Sequence, residues 1–475
     1  MATVLIKNGT IYDGTGNPPV KSDVLIHDRR IASLGMFHKK QADLTLDATG
    51  CAITPGLIEM NFDDAGHSGI FADHRQEGMI RRGVTTVLGG SGGISLAPIL
   101  KFPTLAEMLS VLERRGSGVN FGTLVGYAAI RRFFTKDSSR DLTLRELESA
   151  KKLVSRSLSE GAFGFSTDLG SPEGERVPVR EVIELVREAA KFKRVYATHL
   201  RHRNEKIIEA VEEVAEISRA AGASVEISHF QPLREFSGLF EKALELIEKE
   251  SAQSQINFDI FPHPVAAVPI RSFLPEWMRM KDAGDIIGAL KDKGTKERIL
   301  KHFQKLETDG MIIAETSPNL KFLEDRSLAD FARNNGLTKA RSVLKLVMLT
   351  GLKAKIFCSW VDKKVMDDFI GSQRSLLTFG YHRFPGRRTG AGDYFAGLEG
   401  DKKFPPEKAI AKATGLVAAK YGIHRRGFVK NDHFADLVIW ENWKPKTVVV
   451  NGTLSLKDGV FAGKPAGSVL KAGRS

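Results

Sequence analysis

The chain has 475 residues, a formal net charge of +13, and 42% hydrophobic against 27% charged residues, an ordinary balance for a globular protein. Two cysteines, Cys51 and Cys358, exclude a disulfide framework, and no apolar run approaches the ~20 residues of a membrane-spanning helix. The cysteine usage fits a reducing, cytoplasmic location. The positive charge is scattered among acids. Its densest cluster, His382-Arg-Phe-Pro-Gly-Arg-Arg388, is short and carries no nucleic-acid motif. The charge therefore argues less for nucleic acid than for a basic funnel that attracts small anions.

Residues 1–54 read as all-β. Met1 to Lys7 enters directly as a strand, without the charged region and long apolar run of a signal peptide. Val4-Leu-Ile-Lys-Asn-Gly-Thr-Ile-Tyr-Asp alternates around an Asn-Gly turn, and Ser22-Asp-Val-Leu-Ile-His repeats the hairpin pattern. The end of the chain has the same texture: Ala435-Asp-Leu-Val-Ile-Trp440, Thr447-Val-Val-Val-Asn-Gly-Thr453 and Val460-Phe-Ala. A β-module built jointly from both termini accounts for this.

The centre alternates helix and strand. Thr143-Leu-Arg-Glu146 is a capping-box match, and Gly161 ends the helix it opens. The strand Ala162-Phe-Gly-Phe-Ser-Thr-Asp168 follows, then a helix over 178–191. Asn257-Phe-Asp-Ile-Phe-Pro262 is a further strand. The rhythm changes near residue 264, which predicts an insertion on the rim over about 264–305. Met311-Ile-Ile-Ala-Glu315 and Ala354-Lys-Ile-Phe-Cys-Ser359 are expected to resume the strands, and Asp368-Phe-Ile-Gly-Ser-Gln373 to be the last.

The most informative segments are Val195-Tyr-Ala-Thr-His199 and Val225-Glu-Ile-Ser-His229, two strands ending in histidine. Between them residues 204–221 have apolar positions at helical spacing, and Gly222 is a stop. Strand, helix and strand in about thirty residues form a crossover unit, so the strands run parallel. Both histidines then lie on one rim. Neighbouring strands are ~4.8 Å apart, so the two imidazoles can share a metal ion. An α/β barrel places its chemistry on that rim.

In order, these segments resemble the amidohydrolase superfamily, and more closely its N-acyl-D-amino-acid deacylase (D-aminoacylase) branch. The likeness is carried by Ile6-Lys-Asn-Gly-Thr-Ile-Tyr-Asp-Gly-Thr-Gly, Pro55-Gly-Leu-Ile-Glu59, Gly83-Val-Thr-Thr-Val, Ser95-Leu-Ala-Pro98, the two histidine strands, Leu274-Pro-Glu-Trp277, Arg426-Gly-Phe-Val and Ala435-Asp-Leu-Val. It implies a (β/α)8 TIM-type barrel over 55–420. It also implies a small β-sandwich made from 1–54 and 421–475. By the same resemblance the chain would bind one or two divalent metals, usually zinc, and hydrolyse an amide or related C–N bond.

Three family positions depart. Where the family has His-x-His this chain has Asn61-Phe62-Asp63. The family's cysteine position is Gly92. The Gly-Ser-Asp that supplies the general base is expected at Gly371-Ser372-Gln373. Glutamine accepts no proton near neutral pH. The candidate metal ligands are thus His199, His229 and Asp63. Asp168 is a fourth candidate ligand, a substitute acid or base, or a plain helix cap. His382 is a second substitute for the missing base, and Arg201 is either a clamp for a substrate carboxylate or the partner of a neighbouring acid. Two readings stay open. One is a zinc- or other metal-dependent hydrolase of a small N-acyl amino acid or related amide, with an altered site. The other is a non-catalytic relative that binds a ligand or partner, with or without metal. Oligomeric state stays open as well.

Overall fold

A computed structural model describes residues 3–38, 42–62, 69–136, 140–171, 173–250, 254–279, 281, 283–379 and 390–473. Parallel strands form the centre: Leu57–Phe62, Val84–Gly89, Asn120–Thr123 continued by Val125–Gly126, Gly164–Asp168, Val195–His199, Val225–Ile227, Ile256–Ile260 and Ser375–Leu377. The last strand pairs with the seventh. It meets the first through Glu59, which accepts from Thr378 Oγ1 at 2.6 Å and from Phe379 N at 3.3 Å. This is the expected (β/α)8 barrel.

The helices form for local reasons. Thr143 and Glu146 make the reciprocal capping box, and Gly161 closes that helix at φ +119°. Ile207–Ala221 buries Ile207, Ala210, Val211, Val214 and Ile217 on one face, and Gly222 ends it at φ +67°. Phe230, Phe240, Phe258 and Phe369 interlock with ring centroids 4.9 to 6.4 Å apart, fastening the helix Lys363–Gly371 to the sixth and seventh strands.

Two expectations need correction here. The segment 368–373 is not the last strand. Val365, Met366, Phe369 and Ile370 are buried at helical spacing, and Asp362 caps the helix by accepting from Lys364 N and Val365 N. The strand begins only at Ser375. Nor do 311–315 and 354–359 return to the barrel. Ile312–Glu315 and Lys355–Cys358 pair antiparallel, with Ala266–Pro269 on the other edge, in a separate three-stranded sheet. That sheet has its own core, including Ile270, Phe273, Ile299, Phe303, Ile313 and Ile356. The inserted unit therefore runs well past residue 305. A short apolar run reads alike in either kind of sheet.

The two termini share one nine-stranded sheet, joined where Ala52–Pro55 runs antiparallel to Leu437–Glu441. A buried polar network ties this module to the barrel. Arg426 pairs with Asp436 and donates to Asn451 Oδ1 at 2.8 Å. Asn120, on the third barrel strand, donates to Asp436 Oδ2 at 3.1 Å and accepts from Asn451 Nδ2 at 2.7 Å. Arg426→Ala would leave the Asp436 carboxylate buried without its counter-charge. The expected loss is about 3–5 kcal/mol of unfolding free energy, read by urea denaturation.

Candidate active site on the barrel rim

Because the strands are parallel, their carboxyl ends gather at one rim. Asp168 and His199 are register partners on adjacent strands, so their side chains share a face. His199 Nδ1 lies 3.3 Å from Asp168 Oδ1. Burial would push the Asp168 carboxyl up. The His199 imidazole, the Arg203 charge and the Gly170 N–H outweigh it and hold the carboxyl below its usual range. His229 follows the sixth strand in the left-handed region, at φ +54°. Its backbone N–H donates to Asp259 Oδ1 at 3.0 Å, and its Nδ1 stands 3.5 Å from the same oxygen. Asp259 is fully buried. Burial pushes its carboxyl up to about 6 against the opposing pull of the Asn61 amide and the His229 N–H, with Glu59 adding to the rise.

The two imidazoles are 5.4 Å apart between centroids and inclined at 40°. Each turns Nδ1 to a carboxylate, which directs Nε2 to the other side of the ring. This carboxylate–histidine backing is how imidazoles are oriented and made more basic as metal ligands. The described donors fit a divalent ion as far as they go. They stop at two nitrogens, one short of the three protein ligands of a catalytic zinc. Among the described residues no group of three His, Cys, Asp or Glu is placed to hold an ion. Asp63 lies outside the described residues. Gly92 closes in on His199: a Cβ built there would stand 3.8 Å from His199 Cε1. A longer side chain at that position would project at the imidazole, and glycine offers no donor.

Gln373 is not on the rim. It is exposed, and it sits between the helix Lys363–Gly371 and the strand Ser375–Leu377, at the amino-terminal end of the barrel. The rim end of that strand is Thr378-Phe379, which offers no carboxylate. His382 lies outside the described residues. Arg201 is not available as a clamp either. Its Nε donates to Glu213 at 2.9 Å, Nη1 to the carbonyls of Gly174 and Glu175 at 2.8 and 2.7 Å, and Nη2 to Glu213 at 2.6 Å and Val177 O at 3.1 Å. All five N–H groups are thereby used. Cys51 and Cys358 are buried in the terminal module and in the inserted sheet.

Three residues escaped the sequence reading. Asp259 was legible: it is the one charged residue in the strand Ile256–Ile260. Glu59 was legible as the acid closing Pro55-Gly-Leu-Ile-Glu59, but not its partners on the eighth strand. Arg203 carries no local signal, since its neighbours come from other strands.

No protein-family model matches the chain. A D-aminoacylase of Alcaligenes xylosoxydans xylosoxydans is 26% identical over 511 residues, covering 98% of this chain and 97% of the relative. Among solved structures, a D-aminoacylase that defines a subset of amidohydrolases is 25% identical, with a TM-score of 0.82 over 99% of this chain and 100% of that one. An N-acyl-D-glutamate deacylase from Bordetella bronchiseptica, complexed with zinc and a phosphonate mimic of the tetrahedral intermediate, also has a TM-score of 0.82, at 22% identity and with the same coverage.

Arg201→Ala is expected to lower the unfolding free energy by about 2–4 kcal/mol, because it strands the half-buried Glu213 and three backbone carbonyls. Urea denaturation checks this. A substrate clamp would instead leave stability unchanged.

Proposed function

We propose that this chain, which belongs to the D-aminoacylase branch of the amidohydrolase superfamily, hydrolyses the amide bond of a small N-acyl-D-amino acid. The observation that carries the reading is the pair of rim imidazoles, each backed by its own carboxylate. His199 and His229, with Asp63 as the third donor, would hold one divalent ion, zinc in the first instance. When bound, such an ion polarises the amide carbonyl and makes water more acidic.

The protein's own groups do the rest. Asp168 and Asp259 stand against the histidine Nδ1 atoms at 3.3 and 3.5 Å, which favours the tautomer with the proton on Nδ1 and leaves Nε2 free to ligate. Asp259 also holds the His229 backbone, so one oxygen sets both chain and ring. Glu59 clamps the first strand to the eighth and keeps the rim closed. Proton transfer falls to His382 or Asp168, because no carboxylate stands at Thr378-Phe379. Asp168 is already committed to His199, which favours His382. The buried thiols and the lack of a disulfide fit a reducing compartment such as the cytoplasm.

A second reading is favoured by one observation. Gly92 and Thr378-Phe379 supply neither donor nor base where the rim would use them. A non-catalytic relative would keep the barrel and bind its ligand without cleavage.

The deciding experiment begins with metal content by elemental analysis of protein purified without chelator. About one equivalent of divalent metal, lost in His199→Ala, together with cleavage of N-acetyl-D-amino acids over the L enantiomers, is the expected result. No uptake after incubation with zinc, manganese or cobalt would sink the hydrolase reading. Asp259→Asn should weaken metal affinity about 10- to 100-fold, read by competition with a chelator.

A further inference from the structure

The rim carries a cation that the reading above does not use. Arg203 stands on the loop between the strand Val195–His199 and the helix Ile207–Ala221. Its Nη2 donates to Ser228 O at 3.3 Å, so the side chain crosses to the end of the next barrel strand, beside His229. The charges of Asp168 and Asp259 both act on it. Those two acids back the two different histidines, from the fourth and seventh strands. The guanidinium, fixed at Ser228 next to His229, is thus within electrostatic reach of the acids behind both imidazoles.

Neither acid is Arg203's own partner. Asp168 is taken by His199 at 3.3 Å and Asp259 by His229 at 3.5 Å. Among the described residues Arg203 makes only the Ser228 bond, out of the five N–H donors that an arginine carries. Arg201, two positions earlier, is fully bonded elsewhere. The planar fork of a guanidinium matches a carboxylate in a bidentate pair, and partial burial strengthens that pair. A neutral ligand would leave the cation desolvated and uncompensated.

We propose that Arg203 is the anion receptor of this rim. It would hold the carboxylate of an N-acyl amino acid while the amide lies between His199 and His229. The choice of ligand rests on the deacylase reading; the placement of the receptor does not. Arg203 is then a substrate-binding residue that selects for a free carboxylate.

The test compares N-acetyl-D-methionine with its neutral carboxamide, by calorimetric binding and by hydrolysis, on the metal-loaded full chain. Wild type should bind the acid about 10- to 100-fold tighter than the carboxamide. Arg203→Met should abolish that preference, with the loss in KM rather than kcat where turnover is measurable. Arg203→Lys should keep part of it and serves if the methionine variant does not fold. Equal binding of the two probes by wild type, binding of neither, or an undiminished preference in Arg203→Met would overturn the proposal. Acid bound through Arg203 but never cleaved would overturn the deacylase reading and leave the receptor standing. Cleavage indifferent to charge would do the reverse.

Discussion

The parallel pairing of Gly164–Asp168 with Val195–His199 is the constraint on which the site depends. Asp168 faces His199 only in this register. A slip of one residue would turn one of them towards the helix layer. The register is held from behind by side chains that face that layer. Thr167 Oγ1 lies 2.7 Å from both the Tyr196 hydroxyl and Thr198 Oγ1. Phe165 and Tyr196 stack at 6.0 Å. On the other face Ser166 donates to Gly90 O, which brings the Gly-rich turn against the fourth strand.

Burial of charge is the second theme. Asp259, Glu59 and Glu226 all lie inside the barrel, essentially without exposure. Glu226 has no hydrogen-bond partner among the described residues, and burial pushes its carboxyl well up against the pull of Lys420. Lys420 is itself pulled down to about 8 by burial. Its Nζ donates to Ser224 Oγ, Val225 O, Gln255 O and Asn257 Oδ1 at 2.7 to 3.0 Å. Such groups favour neutral or paired forms, and removing one partner costs more than the pair contributes. The rim spends its buried charges differently. There each acid is turned to an imidazole, so the charge that the fold must bury also orients the ring.

Much of this was written in the sequence. The helix before His229, the capping box at Thr143 and the pairing of the two termini follow from periodicity and turn chemistry that need no distant partner. The histidine strands were legible because a crossover unit fixes which ends lie together. The misreadings share a cause. Residues 311–315 and 355–358 are short and apolar, and nothing local separates a barrel strand from an edge of an inserted antiparallel sheet. Gln373 drew attention through a tripeptide match. The helical spacing of Val365, Met366, Phe369 and Ile370 was the stronger signal, and the strand starts only at Ser375, two residues past Gln373. Arg201 looked like a clamp because its bonds to Glu213 and to the 174–177 loop belong to the folded chain.

The sequence by itself determined the class of fold and the rim that carries the chemistry, because hydrophobic period and crossover handedness act over tens of residues. It also determined that His199 and His229 stand together. Only the tertiary structure decided which arginine reaches the rim, which acid stands behind each histidine, and where the eighth strand begins. Those outcomes depend on residues far apart in the chain, 30 positions for Asp259 with His229 and 319 for Thr378 with Glu59. No local rule brings such partners together; closure of the barrel does.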